Sequence, residues 1–85
     1  MNLYYGNYQL DEIMPYEPLD PEDEKLLSAG VLIADYNFSI RESAKNTGYS
    51  KSQLHRLIHS ELRKLSFELH QVVLKRLRTH KKGGL

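Results

Sequence analysis

The sequence contains no cysteine and no tryptophan. The absence of cysteine excludes disulfides, thiolate metal ligands and cysteine nucleophiles. No run of about 18 apolar residues occurs, which is the length that a transmembrane helix needs. The N-terminus also lacks the basic stretch followed by an apolar run that marks a signal peptide. We therefore expect a cytoplasmic protein without a membrane partner.

The size of the chain limits it to one small domain. It has 85 residues, of which 40% are apolar and 27% are charged. A core of this size leaves a thin stability margin, which favours a few packed helices over a large sheet. We therefore expect an all-α fold, a small helical bundle of about four helices.

Charge is unevenly distributed along the chain, although the net charge is only +1. Residues 1–40 carry eight acids and one lysine, which gives −7, whereas residues 41–85 carry eleven Lys or Arg and three Glu, which gives +8. A basic segment with clustered Lys and Arg is typical of a protein that binds a polyanion. Charge alone does not separate DNA from RNA or from an acidic lipid.

A start signal at residues 20–24 predicts the first helix. Asp20 can accept hydrogen bonds from the free N–H groups of the first turn, and Pro21 loses nothing at the first helical position. Three acids then favour the positive end of the helix dipole. The apolar spacing beyond them predicts a helix that ends near residues 36–37. Gly30 inside it indicates close packing of a neighbouring helix.

Capping boxes predict two further helices. In a capping box a serine accepts a bond from the N–H three residues on, where a Glu or Gln side chain reaches back. Residues 39–42 (SIRE) predict a helix over 40–47, which Gly48 ends in a left-handed conformation. Residues 50–53 (SKSQ) predict a helix over 51–63. Ser66 can cap a fourth helix, which ends near residue 78.

The second and third predicted helices are joined by only three residues, Gly48-Tyr49-Ser50. This is the spacing of a helix-turn-helix. Ala44 has the small side chain that is needed where two helices cross, and Tyr49 can fill the angle between them. Together with two capping boxes, these features favour a helix-turn-helix over a helical hairpin that only packs. Residues 20–78 are therefore predicted to form a helix-turn-helix DNA-binding domain.

The third helix is predicted to turn a DNA-reading face outward. With Leu54, Leu57 and Ile58 directed inward, its polar and basic side chains are exposed. Arg56 can form a bidentate contact with guanine O6 and N7, and Lys51 suits a phosphate or a guanine. Gln53 either caps its own helix or contacts a base. The predicted DNA-binding positions on this helix are Lys51, Ser52, Gln53, His55, Arg56 and His59.

Residues 30–84 resemble the sporulation transcriptional regulator family typified by stage III sporulation protein D. The resemblance rests on residues 40–45 (IRESAK), 48–52 (GYSKS), 54–56 (LHR) and 61–62 (EL), and on a basic segment that ends in Gly83-Gly84. It implies a small bacterial DNA-binding regulator that controls transcription. The N-terminal segment 1–25, which is rich in acids, lies outside the resemblance. Leu57 occupies a position that is more polar in the family. A sporulation role therefore need not transfer, because a phage or mobile-element regulator could share the fold.

The resemblance also implies roles for individual residues. Lys51, Ser52, His55 and Arg56 match the positions that contact bases. The family uses a basic C-terminal region as a second DNA contact. In this chain the matching residues are Arg78, His80, Lys81 and Lys82.

Two segments flank the predicted domain. Residues 1–19 form an acidic, tyrosine-rich N-terminal arm, and residues 79–85 form a basic flexible tail. We expect Tyr4, Tyr5 and Tyr8 to pack onto the body rather than to stack on bases or on a partner. Three roles of the arm stay open: it keeps a basic protein soluble, it competes with DNA for the basic face, or it contacts the transcription machinery or another protein.

No catalytic set is apparent in the sequence. It has no glycine-rich phosphate loop and no Ser/His/Asp arrangement in a recognisable context. His55 and His59 have the spacing of two metal ligands, but no third ligand at a matching spacing is evident. We expect a non-enzymatic regulator of transcription that binds double-stranded DNA as a monomer or weak dimer, without a cofactor or metal. The alternative is a small protein-interaction adaptor or antirepressor that acts through its acidic arm or its exposed helix face.

Overall fold

Residues 3–11 and 20–83 are described by the computed structural model of the chain. Two short strands, β1 (Leu3–Tyr5) and β2 (Tyr8–Leu10), pair antiparallel, with Tyr5 opposite Tyr8. The helices that follow are α1 (Pro21–Tyr36), α2 (Ile40–Thr47), α3 (Lys51–His59), α4 (Glu61–Leu65) and α5 (Phe67–Gly83). The predicted all-α bundle is confirmed, with the hairpin as a small addition.

The core lies where α1 packs against the four other helices. Gly30 of α1 makes the closest approach possible, because a Cβ atom there would lie 3.0 Å from Cδ2 of Leu69 on α5. The predicted close packing at this glycine is confirmed. The large apolar side chains that are fully buried are Leu27, Ile33, Leu54, Ile58, Leu62, Leu69 and Val73.

The helix starts follow the predicted capping residues. Asp20 accepts a hydrogen bond from the N–H of Glu22 at 3.1 Å, and the box of Ser39 and Glu42 forms in both directions. The Ser50 hydroxyl accepts from the N–H of Gln53 at 3.1 Å. The hydrogen bonds of the described residues include no reciprocal bond from the Gln53 side chain to the Ser50 N–H. Only one of the two bonds of the second capping box is therefore formed.

The third predicted helix is divided in two. A single helix was expected over residues 51–63, but α3 ends at His59 and α4 begins at Glu61. Ser60 stays in the right-handed helical region, but its φ of −117° and ψ of −74° depart from ideal helical values. Its N–H turns to the Leu57 carbonyl at 3.3 Å, and its hydroxyl donates to the Arg56 carbonyl at 2.9 Å. These local bonds compete with the regular helical ladder and explain the break.

The acidic arm contains folded residues. The hairpin docks through β2 and Asp11 on the junction between α4 and α5, so the folded body begins well before residue 20. The N–H of Asp11 donates to the Leu65 carbonyl at 2.7 Å, and the Asp11 carboxylate accepts from the N–H of Phe67 at 2.7 Å. The Ser66 hydroxyl donates to the Gln9 carbonyl. Residues 12–19 of the predicted arm lie outside the described residues.

The C-terminal segment is helical further than predicted. A flexible tail was expected from Thr79, but α5 continues to Gly83. No glycine or proline lies between Phe67 and Gly83, and cations near a helix C-terminus interact favourably with its dipole. The predicted boundary at residue 78 therefore divides a continuous helix.

Candidate nucleic-acid interface

The turn between α2 and α3 is held by local geometry. Gly48 ends α2 with φ +88°, a left-handed conformation that glycine adopts without steric cost. The N–H groups of Gly48 and Tyr49 both donate to the Ala44 carbonyl, at 2.9 and 3.1 Å. Ala44 is 3% exposed and Tyr49 is 7% exposed. The small residue and the turn aromatic thus occupy the predicted positions of a helix-turn-helix.

Contacts with α1 hold this unit in place. The buried Ser43 hydroxyl donates to the Ala29 carbonyl at 2.7 Å, which ties α2 to α1. Nζ of Lys25 lies 4.4 Å from the centroid of the Tyr49 ring, within cation–π distance. Neither contact is predictable from the sequence, since serine and lysine in amphipathic helices usually face solvent.

The helix α3 presents the predicted face to solvent. Leu54 and Ile58 are fully buried, whereas Leu57 is only half-buried rather than directed fully inward. Ser52 and Arg56 lie opposite the buried pair on the helix, and Gln53 lies on the Leu57 side. All the predicted DNA-binding positions of this helix are exposed: Lys51, Ser52, Gln53, His55, Arg56 and His59.

A groove separates α3 from α5 and has a volume of about 680 Å³. We call it the α3–α5 groove. Its floor is formed by Ile40 from the start of α2 and by Leu74 and Leu77 from α5. Its rim carries four basic or histidine side chains: Lys51, His55, His59 and Arg78.

Of the residues predicted to form a second DNA contact, the structure describes the position of only one side chain. Arg78 lines the same groove as Lys51 and His55, so the structure brings it to α3. His80, Lys81 and Lys82 follow on the helical backbone of α5, and their side chains lie outside the described part of the chain. Arg76 is engaged elsewhere, because its Nε donates to the Ala34 carbonyl at 3.1 Å.

The segment from α3 to the end of α5 is basic. Residues 51–83 carry nine Lys or Arg and two Glu. Glu68 accepts a hydrogen bond from the Gln9 N–H at 3.2 Å, and Glu61 lies 3.9 Å from Nζ of Lys64. Both acids therefore have partners of their own. They do not neutralise the positive charge of α3 and of the groove rim.

Two histidines of α3 lie close together on this face. The rings of His55 and His59 lie 4.6 Å apart between centroids. Burial lowers the pKa of His70, and the nearby His59 and Arg63 lower it further. The described residues contain no group of three or more His, Asp or Glu placed to hold a metal ion.

Comparisons with protein-family models, with curated proteins and with solved structures find no match to this chain. The structure defines the class, a small all-α domain built around a helix-turn-helix unit. The resemblance to sporulation regulators stays a prediction. Within the described ranges, no helix has the length and apolar character needed to cross a membrane.

Proposed function

We propose that this chain is a DNA-binding regulator of transcription that inserts α3 into the major groove. One observation carries the proposal: α3 follows a tightly held turn and buries one face while it exposes another that has no acid. In helix-turn-helix proteins the N-terminal part of the second helix contacts base edges. Arg56 is exposed opposite the buried Leu54 and Ile58, where its guanidinium is free to contact a guanine.

Residues around Arg56 complete the proposed contact. Ser52 lies one turn before Arg56 on the same face and can donate to or accept from a base. The Gln53 side chain makes no hydrogen bond with the other described residues, which favours base contact over capping. Lys51 at the start of α3 and Arg78 at the groove rim suit phosphates, which set the register of a protein on DNA. His80, Lys81 and Lys82 follow on the helical backbone of α5, and we propose that they add the second DNA contact that the resemblance implies.

The resemblance to sporulation regulators supports the same function. It adds a bacterial cytoplasm as the setting and a role in transcription without catalysis. A single helix-turn-helix with a basic C-terminal helix favours binding as a monomer, since the second contact comes from the same chain.

Selection from a random library of DNA duplexes tests the proposal. The full chain is incubated with the library, bound duplexes are amplified over several rounds, and affinity for the enriched sequence is compared with that for random DNA. Specific regulators bind their sites about 10³-fold or more tightly than random DNA. We expect an enriched site and a clear affinity ratio. A library that stays random after selection would contradict sequence-preferring binding.

A further inference from the structure

The floor of the α3–α5 groove is unlike a DNA-binding surface. Ile40, Leu74 and Leu77 are each partly exposed there, so the groove offers aliphatic carbon to whatever enters it. Phosphates are held by charged groups and by N–H or O–H donors, none of which these side chains supply. Burial of the floor is favourable when the ligand brings apolar side chains of its own.

The rim of the same groove is cationic. Lys51 on α3 and Arg78 on α5 carry fixed positive charges on its two sides, and His55 lies one turn after Lys51 on α3. No Asp or Glu lines it among the described residues. The charge therefore complements carboxylates that flank the apolar side chains of a ligand.

The groove is bordered at His59 by a second depression near the start of α5. His59 also lines a neighbouring depression, which adds Arg63, Lys64 and the half-exposed Phe67. Asp11 is the acid at this end, and its carboxylate accepts a hydrogen bond from the Phe67 N–H. Both depressions thus combine apolar carbon with basic side chains, which lengthens the surface available to one ligand.

We propose that the α3–α5 groove binds an acidic amphipathic segment of a protein partner. Its apolar side chains would pack on Leu74, Leu77 and Ile40, and its carboxylates would pair with Lys51 and Arg78. This is the helix-in-groove type of recognition, in which one apolar face enters a hydrophobic groove. The segment would also compete with DNA, because Lys51, His55 and His59 belong both to the groove and to the proposed DNA-binding face. The partner is therefore an antagonist of DNA binding, a consequence that rests on the proposed function.

A peptide library tests the proposal without DNA. Random dodecapeptides displayed on phage are selected against the immobilised full chain, and the most enriched peptide is synthesised with a fluorescent label. We expect enrichment of Asp and Glu beside large apolar residues. Affinity is then measured by fluorescence anisotropy on the wild type and on variants of the groove.

Matched variants locate the binding site. Leu74→Gln places a polar group on the floor and should weaken peptide binding by about tenfold or more. Val72→Gln changes another partly buried aliphatic residue of α5 that does not line the groove, and it should stay within about twofold of the wild type. Lys51→Glu reverses a rim charge and should also weaken binding. Unfolding does not explain that loss, because an acid in the first turn of a helix is favourable.

Several outcomes would overturn the proposal. They are failure to enrich any peptide, enrichment of basic or uncharged peptides, and equal affinity of Leu74→Gln and the wild type. A dimer of this chain that Leu74→Gln abolishes in sedimentation would assign the groove to a second copy instead. Displacement of a bound duplex by the peptide tests the competition separately. A chain that binds the peptide but no DNA would refute only the proposed function.

Discussion

The Tyr8 hydroxyl makes one of the hydrogen bonds that tie the N-terminal hairpin to the helical body. The side chain is 9% exposed, and its hydroxyl donates to the carboxylate of Asp35 on α1 at 2.5 Å. Burial, the hydrogen bond and the negative charge of Asp35 raise the pKa of Tyr8 to about 12. The neutral form is therefore favoured in the folded protein.

Tyr8→Phe should lower the free energy of unfolding by about 1 kcal/mol, because Asp35 loses its donor while the ring stays buried. Tyr4→Phe is the matched control, since Tyr4 is exposed, and it should have almost no effect. The difference between wild type and Tyr8→Phe is fully present below pH 10 and is lost as the pH rises from 10 toward about 12. Urea unfolding at several pH values measures it. Equal stability of both variants would show that the bond contributes nothing.

His70 should make the domain less stable in acid. Its pKa is lowered by burial, by His59 and by Arg63, so the folded state disfavours the protonated ring. The contribution of neutral His70 is fully present above pH 6.5 and is lost as the pH falls through its lowered pKa. His70→Gln should flatten this dependence in unfolding experiments from pH 7.5 to 5. An unchanged slope would assign the acid sensitivity to other groups.

Local chemistry explains which residue roles could be predicted. Asp20, Ser39 and Gly48 act on groups within a few positions of themselves, so their sequence context predicts them. Ser43 and Tyr8 act on partners 14 and 27 positions away. No spacing rule identifies such partners, because they depend on how the helices pack.

At the scale of elements, the junction of α4 and α5 is completed by a distant segment. Asp11 accepts from the N–H of Phe67, the first residue of α5, across 56 positions of sequence. A carboxylate at this place satisfies a free donor and interacts favourably with the helix dipole. The hairpin therefore helps to hold the start of α5.

Asp11→Ala should lower the free energy of unfolding by about 1 kcal/mol, the usual effect of losing a helix cap. Asp11→Asn keeps an acceptor oxygen and should lose distinctly less. Chemical unfolding followed by circular dichroism gives both values. Equal losses for the two variants would mean that charge, rather than the cap bond, is responsible.

The basic end of α5 is best tested by substitution rather than by truncation. Truncation after residue 78 would remove helix as well as charge, since α5 extends to Gly83. Lys81→Gln with Lys82→Gln keeps good helix formers and removes two charges. If both lysines contact phosphates, the salt dependence of DNA binding should flatten by about 2 in slope. Gel shifts at several salt concentrations measure it, with Lys75→Gln as the control from outside the groove. A slope equal to that of the control would remove these lysines from the interface.

The apolar pattern of α5 was a signal for the groove. Val72, Val73, Leu74 and Leu77 form a band wider than one helix face needs to close a core. Val73 is fully buried, whereas Leu74 and Leu77 remain partly exposed beside α3. The extra apolar residues of α5 could be detected in the sequence. Their position beside Lys51 could not, because the crossing of α3 and α5 depends on how the whole core packs.

At the scale of the whole molecule, the division of charge has a structural counterpart. Residues 3–11, which belong to the acidic half of the chain, pack against the helical body. Tyr8 is buried there, as predicted. Tyr4 remains exposed, so that prediction does not hold for every tyrosine of the arm. Deleting residues 1–19 would therefore remove core side chains, and neutralising Glu12 and Glu17 is the cleaner way to examine the competing role of the arm.

The effect of Arg56→Ala on the affinity ratio between the selected site and random DNA tests the central claim most directly. If Arg56 contacts a guanine, the variant should lose about 1–3 kcal/mol on the selected site and distinctly less on random DNA. Lys64→Ala, a change of an exposed cation on α4, should leave the ratio close to that of the wild type. Equal losses of Arg56→Ala on both DNAs would contradict base recognition by α3.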